Sequence, residues 1–166
     1  MKFATFHDLE DQSIFITGGG AGIGADLTKG FLSQGSKVTF IQRSNPAKFL
    51  IECKGKYKHE PTFLECDVTN TKDLKAALQT TAYKQGAISV LVNNAANDTR
   101  HTLGEFTSEQ WDKTMNVNLK PHFFTAQEVA EGMKKNGGGS IINFSSISYT
   151  VSYTHLQPTR QLCIAY

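Results

Sequence analysis

Ser13-Ile14-Phe15-Ile16-Thr17-Gly18-Gly19-Gly20-Ala21-Gly22-Ile23-Gly24 decides how the rest of the chain is read. Ile14 to Ile16 is a continuous apolar run, as suits a strand buried on both faces. The chain then turns through glycines and enters a segment with Leu27, Phe31 and Leu32 on one helical face. Strand, glycine turn and helix in that order can cradle a pyrophosphate. Backbone N–H groups and the positive end of the helix dipole meet the phosphates, and a Cβ at the turn would hold them off. The stretch predicts a dinucleotide site built on Thr17, Gly18, Gly20, Gly22, Ile23 and Gly24. The competing reading is an ordinary glycine-rich strand-to-helix loop.

Outward from this turn, strand and helix patterns alternate. Gly35 stands where a helix stop belongs, after a first helix over 22–34, and Lys37 to Gln42 reads as the second strand. Asn45 as cap and Pro46 at the first position predict a second helix. It fades into the polar, basic stretch 54–59, read as solvated surface. Thr62 to Cys66 is the third strand. Asn70 or Thr71 caps a third helix that keeps Leu74, Ala77, Leu78 and Ala82 in helical register. Ile88 to Val92 is an apolar run, the fourth strand. Ser108 opens a helical region reaching about Lys135, which Pro121 should kink or divide. Gly137 to Gly139 ends it, and Ser140 to Phe144 is the fifth strand. Such alternation predicts an α/β fold, a three-layer doubly wound parallel sheet with right-handed crossovers.

The 166 residues are one domain's worth of chain. A formal net charge of +2 gives no sign of a nucleic-acid partner. Cys53, Cys66 and Cys163 show neither a C-x-x-C pair nor metal-ligand spacing, so no metal is expected and a reducing cytoplasm fits. No window approaches the ~18 apolar residues of a membrane span, and the N-terminus lacks the apolar stretch of a signal peptide.

The loops after the strands carry the chemistry, because ligands of such sheets lie beyond the strands' carboxyl ends. After the second strand stands Gln42-Arg43-Ser44, with no carboxylate to repel a phosphate. Arg43 can offer a planar fork to a 2′-phosphate, which favours NADP over NAD; alternatively it only stacks over adenine. After the third strand stands Cys66-Asp67-Val68-Thr69, and after the fourth Asn93-Asn94-Ala95-Ala96. Further on come Val117-Asn118-Leu119 and, beyond the fifth strand, Ser145-Ser146.

Together with Thr17-Gly18, Gly22 and Gly24, these pieces resemble the short-chain dehydrogenase/reductase family over about residues 9–149. The resemblance implies a Rossmann domain over 1–150, incomplete at its C-terminal side, that binds NAD or NADP. It assigns Asp67 and Val68 to the adenine, and Asn94, Ala95 and Ala96 to the strand end beneath the nicotinamide ribose. Asn118 would hold a water of the proton relay, and Ser146 would donate to the reacting oxygen. Ala96 departs from the family's usual glycine. As loop features alone, Asp67 is a cap and Asn118 a satisfied core asparagine. Asn93 to His101, with Gly138 to Asn143, is similar to the branch that oxidises aldoses such as xylose or galactose. There Asn97, Asp98 and Arg100 would hold sugar hydroxyls; Asp98 and Arg100 could instead pair with each other. Relatives of that branch carry an acid where Gln42 stands.

The resemblance stops short of the family's Tyr-x-x-x-Lys pair. Its tyrosine should follow Ser146 by about thirteen residues, which lands on Thr159, with Cys163 at the lysine place. Residues 151–166 lack helical apolar spacing and resemble a translated adapter tail, so they are expected to lie outside the domain. The expected function is an NAD(P)-dependent oxidoreductase acting on an alcohol, carbonyl or sugar, inactive as written and a homo-oligomer at full length. A 3-oxoacyl-type reductase is the alternative substrate reading. A non-catalytic, redox-sensing dinucleotide module is the alternative from another class.

Overall fold

A computed structural model describes residues 4–97, 99 and 104–145. In chain order the elements are β1 (Ser13–Thr17), α1 (Gly22–Ser33), β2 (Lys37–Gln42), α2 (Ala47–Cys53), β3 (Thr62–Glu65), α3 (Thr71–Gln85), β4 (Ile88–Asn93), α4 (Ser108–Asn118), α5 (Lys120–Lys135) and β5 (Ser140–Asn143). The five strands form one sheet in the order β3-β2-β1-β4-β5, and every pairing is parallel. The order reverses at β1, from which the chain winds first one way and then the other. A crevice opens at such a reversal, beyond the strands' carboxyl ends.

Alternation along β1 divides the core in two. Ile14 and Ile16 face α1 and α2, packing with Val38, Phe40, Phe49 and Leu32. Phe15 faces the other way, with Ile41 of β2, Leu91 of β4, Leu74 and Leu78 of α3 and Val129 of α5. A strand with both faces buried must be apolar throughout, which is why Ile14 to Ile16 is unbroken.

Several boundaries follow the sequence, with corrections. Gly35 has φ of 80°, the left-handed stop expected after α1. Asn70 caps α3 by accepting the Lys72 and Asp73 N–H groups. Pro46, not Asn45, is the cap residue of α2, and no side chain caps that helix. On α3 the buried stripe closes with Thr81 rather than Ala82, because seven residues from Leu74 is nearer two full turns than eight. The long helical region is divided: α4 ends at Asn118 and Pro121 sits in the first turn of α5, where its missing N–H costs nothing. A Thr107–Gln110 capping box starts α4. Residues 146–166, the proposed tail included, lie outside the described residues.

β5 is the sheet's edge. Ile141 and Ile142 point to opposite faces and are 41% and 42% exposed, so both faces of this edge strand stand partly uncovered among the described residues.

At the opposite end of the sheet, the basic stretch meets the entry to β1. Asp11 accepts from Lys58 Nζ at 2.9 Å and pairs with His59 Nε2 at 2.6 Å, while Lys58 also reaches Glu10 at 2.7 Å. The Lys58 bond, with the His59 bond behind it, holds the Asp11 carboxyl down to about 2. A carboxyl that ionises more readily when folded contributes stability above its unfolded value of 3.8, and that contribution is lost as pH falls through about 2. Asp11 also has φ of 60°, which asparagine tolerates. Thermal melts of the parent and Asp11→Asn should therefore differ by a constant margin above about pH 5. That margin should close as pH falls between about 4 and 2.

Candidate dinucleotide and catalytic site

Three strand ends meet at the crevice: Thr17 pairs in register with Ile41 of β2 on one side and with Asn93 of β4 on the other. Asn93 pairs in turn with Asn143 of β5. The Thr17 Oγ1 accepts the N–H groups of Asn94 and Ala95, both at 2.9 Å. The Asn94 side chain returns the contact, donating from Nδ2 to the carbonyls of Thr17 at 3.0 Å and Gly18 at 3.1 Å. The loop after β4 is thereby fastened to the glycine turn by four hydrogen bonds.

The turn is held from two further sides. The Gly18 N–H donates to the Ile41 carbonyl at 2.7 Å, and the buried Thr28 hydroxyl on α1 donates to the Gly19 carbonyl at 2.8 Å. Gly18 has φ of 70°. Gly24 is required by proximity: a Cβ there would run into the Gly18 carbonyl and come within 2.7 Å of Asn94 Nδ2. A Cβ on Gly20 would meet the Gln42 amide oxygen. Gln42 lies folded back, its Nε2 donating to the Ser44 carbonyl at 2.7 Å.

A cavity of about 300 Å³ lies against this junction. It gathers Gly18, Arg43, Asp67, Val68 and the run Asn94 to Asn97 from four different loops. Gly20, Gly22, Ile23 and Gly24 shape the turn without lining that cavity. Asp67 accepts at Oδ1 from the Thr69 N–H at 2.9 Å and hydroxyl at 2.8 Å. The Thr69 N–H bond is the main cause holding its carboxyl below the ordinary range, with smaller help from the Thr69 hydroxyl and the Arg43 charge against the cost of burial. Asp67 thus serves as a loop cap while its Oδ2 remains without a bond from the described residues. Cys66 also lines the cavity; burial pushes its thiol up to about 11, so it stays protonated at neutral pH.

Asn118, 1% exposed, ends α4 beside the loop after β4. Its Oδ1 accepts the Asn97 N–H at 2.7 Å and its Nδ2 donates to the Asn97 carbonyl at 3.0 Å. The side chain is satisfied by backbone, and it fixes where Asn97 stands in the cavity wall. A chain of side chains runs from the core to the sheet's edge: buried Thr125 Oγ1 donates to buried Asn93 Oδ1 at 2.9 Å, and Asn93 Nδ2 donates to exposed Asn143 Oδ1 at 2.8 Å. Asp98, Arg100 and Ser146 lie outside the described residues, although Ser145, next to Ser146, follows β5 at the same sheet edge.

Thr28, Thr69 and Val117 belong to this site and were not singled out from the sequence. Thr28 was legible in principle, as the one polar member of the buried stripe Gly24, Ala25, Thr28 and Leu32. Val117 gave no such signal, being an apolar residue on a helix.

With this geometry in view, the relatives are informative. The short chain dehydrogenase family description matches residues 12–158, and the chain belongs to that family of oxidoreductases. It is 40% identical over 149 residues to the probable galactose dehydrogenase of Rhizobium meliloti, covering 89% of this chain and 58% of that protein. It is 42% identical over 150 residues to D-xylose 1-dehydrogenase of Caulobacter vibrioides, covering 90% of this chain and 59% of that protein. The solved structure of aldohexose dehydrogenase from Thermoplasma acidophilum, in ligand-free form, superposes with a TM-score of 0.76 at 29% identity, over 94% of this chain and 57% of that one. The chain thus spans less than two thirds of each of these relatives. Family members use nicotinamide dinucleotides. No helix among the described residues is long and apolar enough to cross a membrane, and no cluster there could hold a metal ion.

The glycine turn yields a graded expectation. Gly24→Ala must displace backbone or Asn94, so urea unfolding should show a loss of about 1–3 kcal/mol, with dinucleotide binding weakened in parallel. Gly22 has φ of 50° but open space where a Cβ would go. Gly22→Ala should therefore cost only the backbone strain, about 1–2 kcal/mol, and leave binding closer to the parent's.

Proposed function

We propose that residues 1–150 are the nucleotide-binding part of a nicotinamide-dependent sugar dehydrogenase, with residues 151–166 outside that domain. The observation that carries this is the meeting of the glycine turn, Arg43, Asp67 and the Asn94–Asn97 run on one cavity at the sheet's switch point. Its likeness to galactose and xylose dehydrogenases supports a sugar as the substrate. By the same family resemblance, the full-length protein is a cytoplasmic homo-oligomer.

The residues present fit such a cofactor: a glycine cradle that a Cβ would fill, and a cavity wall of backbone and amides beside a single guanidinium. The bound nicotinamide supplies a hydride acceptor or donor for a carbinol or carbonyl carbon. Gly18 to Gly24, at the N-terminus of α1, hold the pyrophosphate. Arg43 pairs with a 2′-phosphate, and the absence of an acid at Gln42 removes the repulsion that would disfavour NADP. Asp67 Oδ2 accepts from the adenine amino group while Thr69 holds Oδ1. Asn94, Ala95 and Ala96 would meet the nicotinamide ribose, and Thr17 holds the backbone of Asn94 and Ala95 in place. Asn97, Asp98 and Arg100 hold the sugar hydroxyls, and Asn118 positions Asn97. Ser146 donates a hydrogen bond to the reacting oxygen.

Proton removal is what these residues do not supply. Thr159 and Cys163 stand where a tyrosine and a lysine are needed. A threonine hydroxyl and a cysteine thiol lack the tyrosine–lysine pairing that gives the family its general base, which is worth ~10²–10⁴-fold.

Two measurements test this reading. In binding titrations NADP should exceed NAD, and Arg43→Ala should weaken NADP alone by about 1–3 kcal/mol. Equal losses for both cofactors would mean that Arg43 only stacks. In absorbance assays with xylose, galactose and a panel of ketones, the chain as written should turn over at least tenfold more slowly than a version carrying the family's Tyr-x-x-x-Lys helix. Cofactor binding with no turnover by either version would favour the redox-sensing module, and turnover confined to ketones the carbonyl reductase.

A further inference from the structure

The nucleotide cavity does not end at a wall. Gln110, Lys113, Thr114 and Val117 recur along α4 at helical spacing, so they share one face. That face borders a second groove of about 550 Å³, whose other side includes Thr69 and Asn97. Thr69, Asn97 and Val117 line both spaces, so the two meet along a shared rim. All but Val117 among these six residues are polar.

We propose that this groove extends the nucleotide site and accepts dinucleotides enlarged at the adenine amino nitrogen. The inference rests on the assignment of Asp67 to that amino group. Asp67 is held at Oδ1 by Thr69, the same residue that forms the shared rim. An adenine amine bonded to Asp67 therefore stands beside the opening. The amine has two hydrogens and Asp67 Oδ2 needs one, so a single substituent on the nitrogen keeps the bond and extends into the groove.

The groove's lining selects the substituent. The groove's exposed wall is largely aliphatic, with the hydroxyls of Thr69 and Thr114 along it, and Lys113 adds a positive charge, which suits a short alkyl chain ending in a carboxylate. Glu109, one turn before Lys113, offsets part of that charge, and Lys113 is exposed, so its attraction for an anionic group is modest. The matching ligand class is an N6-carboxyalkyl dinucleotide.

The test titrates the purified chain with NADP, NAD and their N6-carboxymethyl derivatives, for the parent and for Lys113→Ala. The derivatives should bind within about threefold of the unmodified cofactors. Lys113→Ala should weaken only the derivatives, by about two- to fivefold, as for an exposed ion pair. A loss of about tenfold or more on adding the N6 group, with the unmodified cofactors still bound, would overturn the extension alone. So would a Lys113→Ala variant that left the derivatives unchanged or weakened both forms equally. If neither unmodified dinucleotide binds, the nucleotide reading itself fails and the extension falls with it.

Discussion

One hydroxyl holds the carboxyl edge of this sheet together. Thr17 Oγ1 accepts two successive backbone N–H groups, from Asn94 and Ala95, and Asn94 answers with its side chain on the carbonyls of Thr17 and Gly18. Where two parallel strands diverge, their last backbone groups have no ladder partner, and burial makes an unpaired group costly. Threonine at the end of β1 and asparagine after β4 solve the problem at the reversal point of the sheet. The glycine turn inherits its position from that junction. Gly24 can approach the Gly18 carbonyl so closely only because it carries no Cβ.

The same economy runs outward through buried amides. Asn118 fixes Asn97, and Thr125, Asn93 and Asn143 join α5, β4 and β5. Asn93, Asn118 and Thr125 are fully or almost fully buried, yet each finds its partners. Such networks specify one arrangement when every member is satisfied. Here they set the strand ends and the loop after β4 relative to one another, which is the geometry a cofactor and substrate would share. The side chains given roles in chemistry sit on loops; the side chains that aim those loops sit in the core.

Asp67 shows how two readings of one residue need not exclude each other. From the sequence it was either a loop cap or an adenine contact. The structure makes it a cap at one oxygen only, so the cap fixes the carboxylate's direction and leaves the other oxygen for a ligand. Gln42 shows the reverse. It stands beside Arg43 at the end of β2 and lines the same cavity, yet its amide nitrogen is engaged by the Ser44 carbonyl.

The sequence by itself determined the fold class and the chain positions of the loops that matter. Periodicity is local: an unbroken apolar run means a strand covered on both faces, and a glycine turn before a helix means a phosphate-sized gap. Thr17, Gly18 and Arg43 could be singled out because each stands at a strand end, where local pattern breaks, whereas Asp67, Asn94 and Asn118 were legible through the family resemblance. What only the tertiary structure decided is which of them meet, and through what. Thr28 supports the turn from α1, Val117 and Thr69 form the rim between two cavities, and Pro46 displaces Asn45 from the cap of α2. Each of these depends on distances between elements far apart in the chain, or on a choice between adjacent residues that both suit the local rule. Spacing along a sequence fixes neither, because contact is made in three dimensions and settled by packing.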